Sequence, residues 1–297
     1  MGGRSILARV IGRLRHRRGA SAPPLDAPLP PSPGLGGPLK SRPIFIIGVQ
    51  RSGTSLLRRI VDAHPRLACP PESRFILPLA RLINDAASMR GLESMGYSPE
   101  QITSSIARFA DGFLRGYAEE QGKQRWADKT PHYVDCLDDI HRLFSADAQF
   151  IIIVRHGMDV AYSLSDPHRH YPAIDGHVAA EGGNRPIGAA RFWNEKARLI
   201  EDFRSQHPMS CIQIRYEDLT SRPESALRSV FAFLDEEWDQ RVLDYNRFPH
   251  HVGMEDPDVK RRRRIEPNSH RYLSWRPDVQ REVRAACQPM LSILTYE

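Results

Sequence analysis

The sequence is poor in cysteine and has no long apolar stretch. Its four cysteines form neither a CxxC pair nor a Cys/His pattern, so no zinc site is predicted at Cys69, Cys136, Cys211 or Cys287. No run of about 18 apolar residues occurs, so no transmembrane helix is expected. The segment 5–18 is too charged to be the apolar core of a secretory signal. We therefore expect a cytoplasmic protein.

Positive charge is in excess only at the N-terminus. The first 40 residues hold six arginines and one lysine against the single acid Asp26, which accounts for the whole net charge of +6. The rest of the chain is therefore neutral overall. This distribution argues against a nucleic-acid-binding protein, which would carry its basic residues on the folded domain.

The N-terminal segment has the composition of a tail. Residues 4–18 place apolar side chains on one helical stripe and arginines on the rest. Three interpretations are open: a solvated tail, a basic helix in peripheral contact with a membrane, or an organelle presequence. Residues 21–43 contain eight prolines, which is typical of an extended linker. We predict a basic, Pro-rich tail over 1–42 and one domain over 43–297.

A strand, a glycine-bounded loop and a helix are predicted for residues 43–64, PIFIIGVQRSGTSLLRRIVDAH. Residues 44–47 are a short β-branched and aromatic run of the buried-strand type. Gly48 and Gly53 bound the loop, and apolar residues at 56, 57, 60 and 61 form one helical stripe. Loop amides and the positive end of the helix dipole converge on one point, which predicts an anion site.

The loop lacks the lysine of a nucleoside-triphosphate loop. The triphosphate pattern GxxxxGK[ST] is matched by Gly48, Gly53 and Ser55. Thr54 stands in the place of the lysine, and Arg51 supplies a cation from inside the loop instead. The positive side chain has therefore moved from the helix into the loop.

A second strand, predicted for residues 150–154, ends in Arg155. A triphosphate bound with Mg²⁺ needs a carboxylate at such a strand end to hold the metal. Cations at both strand ends, without a metal carboxylate, indicate a less charged phosphate ligand that is bound without a metal.

Two segments, GVQRSGTSLLRRIVDAHP and IIIVRHGMDVAYSL, resemble the nucleotide-binding motifs of sulfotransferases, which use 3′-phosphoadenosine 5′-phosphosulfate (PAPS). Further pieces match in sequence order: PESRFI, ADKTP, IRYEDL and YLSW. The resemblance extends from about residue 43 to the C-terminus and is closest to the tyrosylprotein-sulfotransferase-like branch. It implies that PAPS is the co-substrate and that no metal takes part.

The resemblance implies which residues hold PAPS. Arg155 and Ser163, eight residues or about two helical turns apart, are expected to bind the 3′-phosphate. Asp159 lies between them and is expected to orient Arg155; the alternative is a plain surface ion pair. Tyr216 is expected to contact adenine or the 3′-phosphate. The 5′-phosphosulfate is expected at the loop, through Arg51, Ser52, Gly53, Thr54 and Ser55.

The resemblance also implies the catalytic residues. Glu72 stands in the place of the family's catalytic glutamate and is expected to take the acceptor's proton. His64 and His132 are alternative bases, because other sulfotransferase branches use a histidine. Lys129 and Ser274, together with Arg51 of the loop, are expected to stabilise the departing phosphate. The segment around Ser274 is about one residue shorter than the family pattern.

Strands alternate with helices along the predicted domain. Core strands are predicted at 44–48, 124–127, 150–154 and 211–215. The alternation predicts a P-loop-like, three-layer α/β fold with a central, mostly parallel sheet flanked by helices. Each motif lies just after a strand, so all the motifs are expected to meet in one crevice at the carboxyl ends of the strands.

Helix boundaries follow from capping and periodicity. Ser98, Pro99 and Gln101 form a capping box that starts a helix running to about residue 120. Residues 166–186 have the composition of a long loop, and 249–270 show little periodicity. Further helices are predicted after residue 55, over 75–90 and 132–144, after 157, and over 187–206, 223–234 and 278–294.

We therefore predict a PAPS-dependent sulfotransferase that acts by in-line displacement. The acceptor is a hydroxyl of a peptide tyrosine, a carbohydrate or a small metabolite. Two alternatives remain open: a P-loop nucleotide kinase, and a protein that binds the nucleotide without catalysing transfer. The sequence does not indicate the oligomeric state.

Overall fold

This computed structural model describes residues 39, 41–144, 147–251, 253–261 and 264–296. The basic segment 4–18, for which membrane contact was one of three interpretations, lies outside these residues, as does nearly all of the predicted tail. The tail and the domain boundary at residue 43 therefore stay predictions. Every helix in the described part of the chain is too short or too polar to cross a membrane.

The centre of the fold is a sheet of five parallel strands in the order β2-β3-β1-β4-β5. The strands are β1 (Ile44–Ile47), β2 (Leu67–Ala68), β3 (Arg125–Asp128), β4 (Gln149–Val154) and β5 (Cys211–Arg215). The four longer strands confirm the predicted parallel sheet. β2 has no counterpart in the sequence prediction, because two residues are too few to show a pattern.

The sheet brings the expected donor-binding segments to one edge. β1 pairs with β4, and β4 pairs with β5, both in parallel register. The loop bounded by Gly48 and Gly53, named the phosphate loop after the anion it is expected to bind, follows β1. Arg155 follows β4, and Tyr216 follows β5. Since the carboxyl ends of parallel strands lie at the same edge of a sheet, these three segments emerge side by side.

Helices cover both faces of the sheet. They are α1 (Thr54–Asp62), α2 (Ile76–Leu82), α3 (Ala86–Ser94), α4 (Pro99–Glu120), α5 (Leu137–Phe144), α6 (Gly157–Leu164), α7 (Asp175–Ala180), α8 (Arg185–Gln206), α9 (Tyr216–Ser221), α10 (Pro223–Phe233), α11 (Pro257–Arg261) and α12 (Pro277–Ile293). Short 3₁₀ turns lie between them, at Pro131–Cys136, Pro172–Ile174, Pro208–Ser210, Gln240–Arg247 and Arg271–Ser274.

Two apolar cores lie on opposite faces of the sheet. Successive strand residues point to opposite faces, so Phe45 and Ile47 belong to one core while Ile44 and Ile46 belong to the other. The first core is covered by α4, α5, α6, α8 and α12, and the second by α1 and α10. This arrangement confirms the three-layer α/β fold.

The capping box predicted at the start of α4 is present. The Ser98 side chain accepts a hydrogen bond from the backbone N–H of Gln101 at 3.3 Å, and Gln101 Oε1 accepts one from the Ser98 N–H at 2.8 Å. Two otherwise unpaired helix-end donors are therefore satisfied, and Pro99 fits the first helical position because it has no N–H to pair.

The long loop predicted over 166–186 is wrong in part, because it contains a 3₁₀ turn and α7. Ile174 is fully buried, and α7 lies close against α8. A Cβ added to Gly188 of α8 would lie 2.6 Å from the Cα of Val178, so the two helices touch through backbone. Tertiary burial of one isoleucine overrides the Pro, Gly and His composition that indicated a loop.

Three other boundaries differ from the prediction. The helix expected over 132–144 begins as the 3₁₀ turn Pro131–Cys136 before α5. The helix expected over 75–90 is two helices, α2 and α3, separated by residues 83–85. The aperiodic stretch 249–270 contains the five-residue helix α11. The strong apolar stripe of α5, with Leu137, Ile140 and Phe144 buried, located that helix but not the 3₁₀ turn before it.

Candidate active site

The loop between β1 and α1 is held in a shape that needs glycine. The backbone N–H of Ser52 donates to the Val49 carbonyl at 3.0 Å, which closes a tight turn. Gly53 has a φ of 99°, and a Cβ there would lie 2.5 Å from the Tyr216 ring. Arg51 also has a left-handed φ, of 73°, which is uncommon for a residue with a Cβ. The turn brings the loop close to the start of α9.

A cavity of about 620 Å³ lies against this loop at the carboxyl edge of the sheet. Most of the residues predicted from the sequence to bind the donor or to take the proton line it: Arg51, Gly53, Thr54, Ser55, Glu72, Arg155, Ser163 and Tyr216. The structure therefore brings together residues from five separate segments of the chain. A cavity of this size falls within the range of small-molecule sites.

Arg155 connects the end of β4 to the phosphate loop. Its Nη1 donates to the backbone carbonyl of Arg51 at 2.9 Å, and its Nη2 donates to the carbonyl of Asn268. The guanidinium lies 4.4 Å from the centre of the Tyr216 ring, in cation–π geometry. The side chain is buried, with 6% of its surface exposed. A cation at this place is held rigidly enough to recognise a phosphate group.

The side chain of Arg51 is held by three groups. Its Nε donates to Ser163 Oγ at 2.8 Å, and its terminal nitrogens lie 2.5 Å from Asp256 and 3.1 Å from Asp258. Burial lowers the pKa of Arg51, but the charge and hydrogen bond of Asp256 more than offset this, so the pKa stays above its ordinary value. Ser163 therefore contacts Arg51. The sequence analysis had grouped Ser163 with Arg155, because both were expected to bind the 3′-phosphate.

Lys129 joins the phosphate loop to the expected general base. Its Nζ donates to Glu72 Oε1 at 2.5 Å and to Ser55 Oγ at 3.3 Å. Lys129 is fully buried and, unlike Ser55 and Glu72, does not itself line the cavity; the Glu72 side chain is 15% exposed. The loop lacks a lysine at Thr54, and the structure supplies that cation from the end of β3 instead. Glu72 and Ser55 of the loop thus share one ammonium group.

Asp159 anchors the segment 268–271. Its two carboxylate oxygens accept hydrogen bonds from the backbone N–H groups of His270 and Arg271, both at 2.9 Å. The Asn268 carbonyl of the same segment accepts from Arg155. Asp159 therefore bears on Arg155 through this segment, and the expected direct orientation of Arg155 stays a prediction.

The two histidines considered as alternative bases do not line the cavity. His64 Nδ1 accepts from the Arg66 N–H at 3.3 Å, its Nε2 donates to the Glu237 carbonyl at 3.0 Å, and its ring stacks on Phe231. Burial lowers the pKa of both His64 and His132. Of the three candidate bases, Glu72 alone is placed against the cavity.

Ser274 and Ser52 also do not line the cavity. The Ser274 hydroxyl donates to the Arg271 carbonyl at 2.9 Å and lies 3.3 Å from the Tyr162 hydroxyl, on an exposed turn. The Ser52 side chain is buried and borders a space of about 10 Å³ beside Gln213. Ser52 therefore shapes the loop through its backbone, and a direct role of Ser274 in transfer stays a prediction.

Several cavity residues have no counterpart in the sequence prediction: Arg169, Asp256, Asn268 and Arg271. Arg169, Asp256 and Asn268 come from irregular segments, and Arg271 begins a 3₁₀ turn. Arg169 pairs with Asp258 at 2.7 Å, so a second arginine shares the carboxylates that hold Arg51. Hydrogen bonding to Arg169 holds the pKa of Asp258 below its ordinary value. In the described part of the chain, no three His, Cys, Asp or Glu side chains are arranged to hold a metal ion.

Comparisons with known proteins agree with this arrangement. A model of the sulfotransferase family matches residues 43–240. A protein-tyrosine sulfotransferase of Drosophila melanogaster is 28% identical over 266 residues, which cover 86% of this chain and 51% of that protein. Protein-tyrosine sulfotransferase 1 of Danio rerio is 27% identical over 267 residues, covering 86% of this chain and 72% of that protein.

Two solved structures share the fold. The sulfotransferase domain from the curacin biosynthetic pathway has a TM-score of 0.59 at 22% identity and covers 88% of this chain and 99% of that one. Mouse sulfotransferase SULT7A1, complexed with PAP, has a TM-score of 0.51 at 14% identity and covers 84% of each chain. At these identities the likeness concerns the fold alone.

The relatives differ from this chain in length. It spans 51% of the fly protein and 28% of an uncharacterised Aquifex aeolicus protein to which it is 28% identical over 221 residues. The family model nevertheless covers most of the described domain, and the tyrosine-directed relatives match most of the chain. The resemblance predicted from the motifs is therefore confirmed, and the chain belongs to the sulfotransferase family.

Proposed function

We propose that this protein transfers the sulfuryl group of PAPS to an acceptor hydroxyl. The observation that carries the proposal is the position of Lys129, which contacts both Ser55 of the phosphate loop and Glu72. A phosphate site and a proton acceptor are thereby placed in one cavity and joined by one cation. Sulfuryl transfer needs these three parts, because it separates charge between an attacking hydroxyl and a leaving phosphate.

The donor would lie along the carboxyl edge of the sheet. The loop residues 51–55 and the start of α1 would hold the 5′-phosphosulfate through backbone N–H groups and the helix dipole. Arg155 would hold the 3′-phosphate, with Tyr216 packed against its guanidinium. The structure of the mouse sulfotransferase with PAP supports this choice of ligand, since that protein has the same fold. A doubly phosphorylated adenosine would thus use both cationic segments of the cavity, the loop and Arg155.

The reaction would be a single in-line displacement. The acceptor oxygen attacks sulfur while the bond from sulfur to the bridging phosphate oxygen breaks, and Glu72 takes the proton of the acceptor hydroxyl. The departing phosphate gains negative charge, which Lys129 and the loop stabilise. Lys129 Nζ lies 2.5 Å from Glu72 Oε1, and a move of Lys129 toward the new phosphate charge would free the carboxylate to act as base.

A tyrosine hydroxyl in a peptide is the acceptor we favour. Relatives from Drosophila melanogaster and Danio rerio are named protein-tyrosine sulfotransferases, and each matches 86% of this chain. A carbohydrate or small-metabolite hydroxyl is chemically accessible to the same base. A panel of tyrosine peptides, sugars and phenols with radiolabelled PAPS decides between these classes.

One experiment tests the function as a whole. Adenosine 3′,5′-bisphosphate and ATP–Mg²⁺ are titrated into the protein, and transfer from PAPS is measured for wild type and Glu72→Gln. We expect binding of the bisphosphate in preference to ATP, and a loss of transfer of about a hundredfold or more in Glu72→Gln with bisphosphate binding retained. The control is Glu224→Gln, an exposed acid of α10 paired with Arg228.

Three results would contradict the proposal. Preferential binding of ATP–Mg²⁺ would favour a nucleotide kinase. Tight bisphosphate binding without transfer to any acceptor would favour a binding protein. Full activity of Glu72→Gln would show that Glu72 is not the base that takes the proton of the acceptor hydroxyl.

A further inference from the structure

The segment that carries Glu72 is tied to the end of β3 by side chains that the proposed reaction does not use. Asp128, the last residue of β3, is fully buried. Its Oδ2 accepts a hydrogen bond from Ser73 Oγ at 2.5 Å and another from the Tyr133 hydroxyl at 2.5 Å. Ser73 is the residue after Glu72, and Lys129 is the residue after Asp128. The Ser73–Asp128 bond therefore lies directly beside the Glu72–Lys129 ion pair.

Further hydrogen bonds define this junction between the Glu72 segment (residues 72–75) and the end of β3 (residues 128–130). The Ser73 hydroxyl donates to Asp128 and accepts from the Phe75 N–H at 3.2 Å, so both of its hydrogen-bonding roles are used. The backbone N–H of Arg74 donates to Thr130 Oγ1 at 3.2 Å. Three consecutive residues, 128–130 at the end of β3, thus hold three consecutive residues, 72–74, of the Glu72 segment. Hydrogen bonds, rather than apolar packing, fix the direction of residues 72–74 relative to β3.

Burying the Asp128 carboxylate at this junction is unfavourable for folding, and packing alone does not explain why a carboxylate is present there. Burial raises the pKa of Asp128, and its Oδ1 has no hydrogen-bond partner in the described part of the chain. A buried carboxylate with one oxygen unsatisfied is unfavourable, and a smaller or apolar residue would avoid this penalty. A carboxylate is, however, a stronger and more directional acceptor for a hydroxyl than a neutral group.

We propose that Asp128 is a positioning residue for the Glu72–Lys129 pair and that it acts through the hydroxyl of Ser73. This inference rests on the proposed function, in which Glu72 takes a proton and Lys129 stabilises the leaving phosphate. Asp128 fixes the backbone at Lys129, which is the next residue in the chain. It fixes the backbone at Glu72 through its hydrogen bond to Ser73, the residue after Glu72. Such anchoring matters because a displacement of about 1 Å at a catalytic group costs about a hundredfold in rate.

The test compares two variants that each remove one hydroxyl from Asp128. Ser73→Ala breaks the bond to the Glu72 segment, whereas Tyr133→Phe breaks the bond to a core tyrosine that lies edge-on to Phe45. Tyr133→Phe also removes the 3.2 Å contact between the Tyr133 hydroxyl and Ser73 Oγ but leaves the Ser73–Asp128 bond in place. We expect Ser73→Ala to lower kcat about ten- to a hundredfold with an unchanged KM for PAPS. Tyr133→Phe should keep kcat within about twofold of wild type, and Ser73→Thr, which retains the hydroxyl, should recover most of the lost rate.

A double variant tests the route through Ser73. Asp128→Asn keeps the shape of the side chain and weakens the acceptor, so it should lower kcat in the wild-type background. In the Ser73→Ala background the same substitution should have little further effect, because the two residues act as one unit. An equal loss in both backgrounds would overturn the route through Ser73.

A readout without activity separates this inference from the proposed function. The N–H groups of Glu72 and Arg74 donate to Met254 and Thr130, and neither bond includes Ser73. Amide hydrogen exchange at Glu72 and Arg74 should become faster in Ser73→Ala and stay unchanged in Tyr133→Phe. Equal exchange in both variants, or equal loss of kcat in both, would overturn the positioning role. A wild-type protein without transfer activity would overturn the proposed function, while the exchange comparison still decides whether Asp128 holds the Glu72 segment.

Discussion

Arg155 donates a hydrogen bond from its guanidinium to the backbone carbonyl of Arg51, 2.9 Å away. This bond joins the residue after β4 to the middle of the phosphate loop. It also supports the left-handed conformation of Arg51, whose φ of 73° carries a strain of about 1 kcal/mol or more. The two arginines therefore line one cavity and are close enough to contact the same small molecule.

Removing the Arg155 guanidinium should weaken binding of adenosine 3′,5′-bisphosphate. Arg155→Ala loses a hydrogen bond to the loop and the expected contacts to the 3′-phosphate. We expect an increase in Kd of about ten- to a hundredfold by calorimetry, because a hydrogen bond to a charged group contributes about 1.5–3 kcal/mol. Arg155→Lys should recover only part of the affinity, since an ammonium does not bind phosphate bidentately.

The matched control for Arg155 is Arg228→Ala, an exposed arginine of α10 paired with Glu224. It changes the net charge by the same amount but lies away from the cavity. An affinity in Arg155→Ala as high as that of Arg228→Ala would contradict the assignment of Arg155 to the donor site.

Gly53→Ala should damage the loop, and Gly112→Ala should not. A Cβ at Gly53 would lie 2.5 Å from the Tyr216 ring, and its φ of 99° is unfavourable for alanine. We expect a loss of about 1–3 kcal/mol in the free energy of unfolding, together with weaker bisphosphate binding. Gly112 lies in α4 with no atom near its added Cβ, so alanine there should stabilise the protein by about 0.5–1 kcal/mol.

Chemical denaturation of the two glycine variants measures both effects on the same scale. Equal stability of Gly53→Ala and wild type would show that the loop does not have the conformation described here.

Asp256 and Asp258 should compete with the donor for Arg51. Their carboxylates lie 2.5 Å and 3.1 Å from the Arg51 guanidinium, and Asp258 also pairs with Arg169. Asp256→Asn/Asp258→Asn leaves both arginines free to attract an anion. We expect bisphosphate to bind about fivefold tighter, which corresponds to about 1 kcal/mol for partly exposed ion pairs. Titrations at low and high salt should show the larger gain at low salt.

The control for these two aspartates is Asp239→Asn, which breaks a surface pair with Arg241 outside the cavity. If the double variant instead bound bisphosphate more weakly than this control, the carboxylates would be part of the binding site rather than competitors.

His64 should make the fold less stable in acid. Its ring is neutral, because Nδ1 accepts from Arg66 and Nε2 donates to Glu237, and burial lowers its pKa below the ordinary value of 6.5. In the window below pH 6.5 the unfolded chain binds more protons than the folded one. The free energy of unfolding should therefore fall as the pH is lowered through this window, and level off below the folded pKa.

His64→Gln should flatten this dependence when urea unfolding is followed from about pH 7.5 to about pH 5. A residual slope should remain, because burial also lowers the pKa of His132 and His141. The exposed His168→Gln serves as the control and should keep the wild-type slope. An unchanged slope in His64→Gln would mean that His64 takes up its proton equally in the folded and unfolded chains.

Local patterns were enough to predict the frame of the site. Residues 43–64 predicted the first strand, the loop and α1, because glycines and apolar periodicity act over short distances. The apolar run at residues 150–154 likewise predicted the strand that leads to Arg155. Parallel strands then place both segments at one edge, so the sequence predicted their meeting without any knowledge of side-chain contacts.

The remaining contacts depend on segments without a pattern. Asp256 and Asp258 reach Arg51 from the stretch 249–270, which shows little periodicity, and Asn268 of the same stretch reaches Arg155. Asp159 has its carboxylate oxygens turned to backbone donors of a segment 111 residues away. Such pairings are decided by tertiary packing, which neither spacing nor composition encodes.

A crystal structure of the protein with adenosine 3′,5′-bisphosphate tests the central claim most directly. We predict the 5′-phosphate against the loop of residues 51–55 within reach of Lys129, and the 3′-phosphate within hydrogen-bonding distance of the Arg155 guanidinium. A bisphosphate bound elsewhere, or one whose two phosphates contact neither Arg155 nor the loop, would contradict the account.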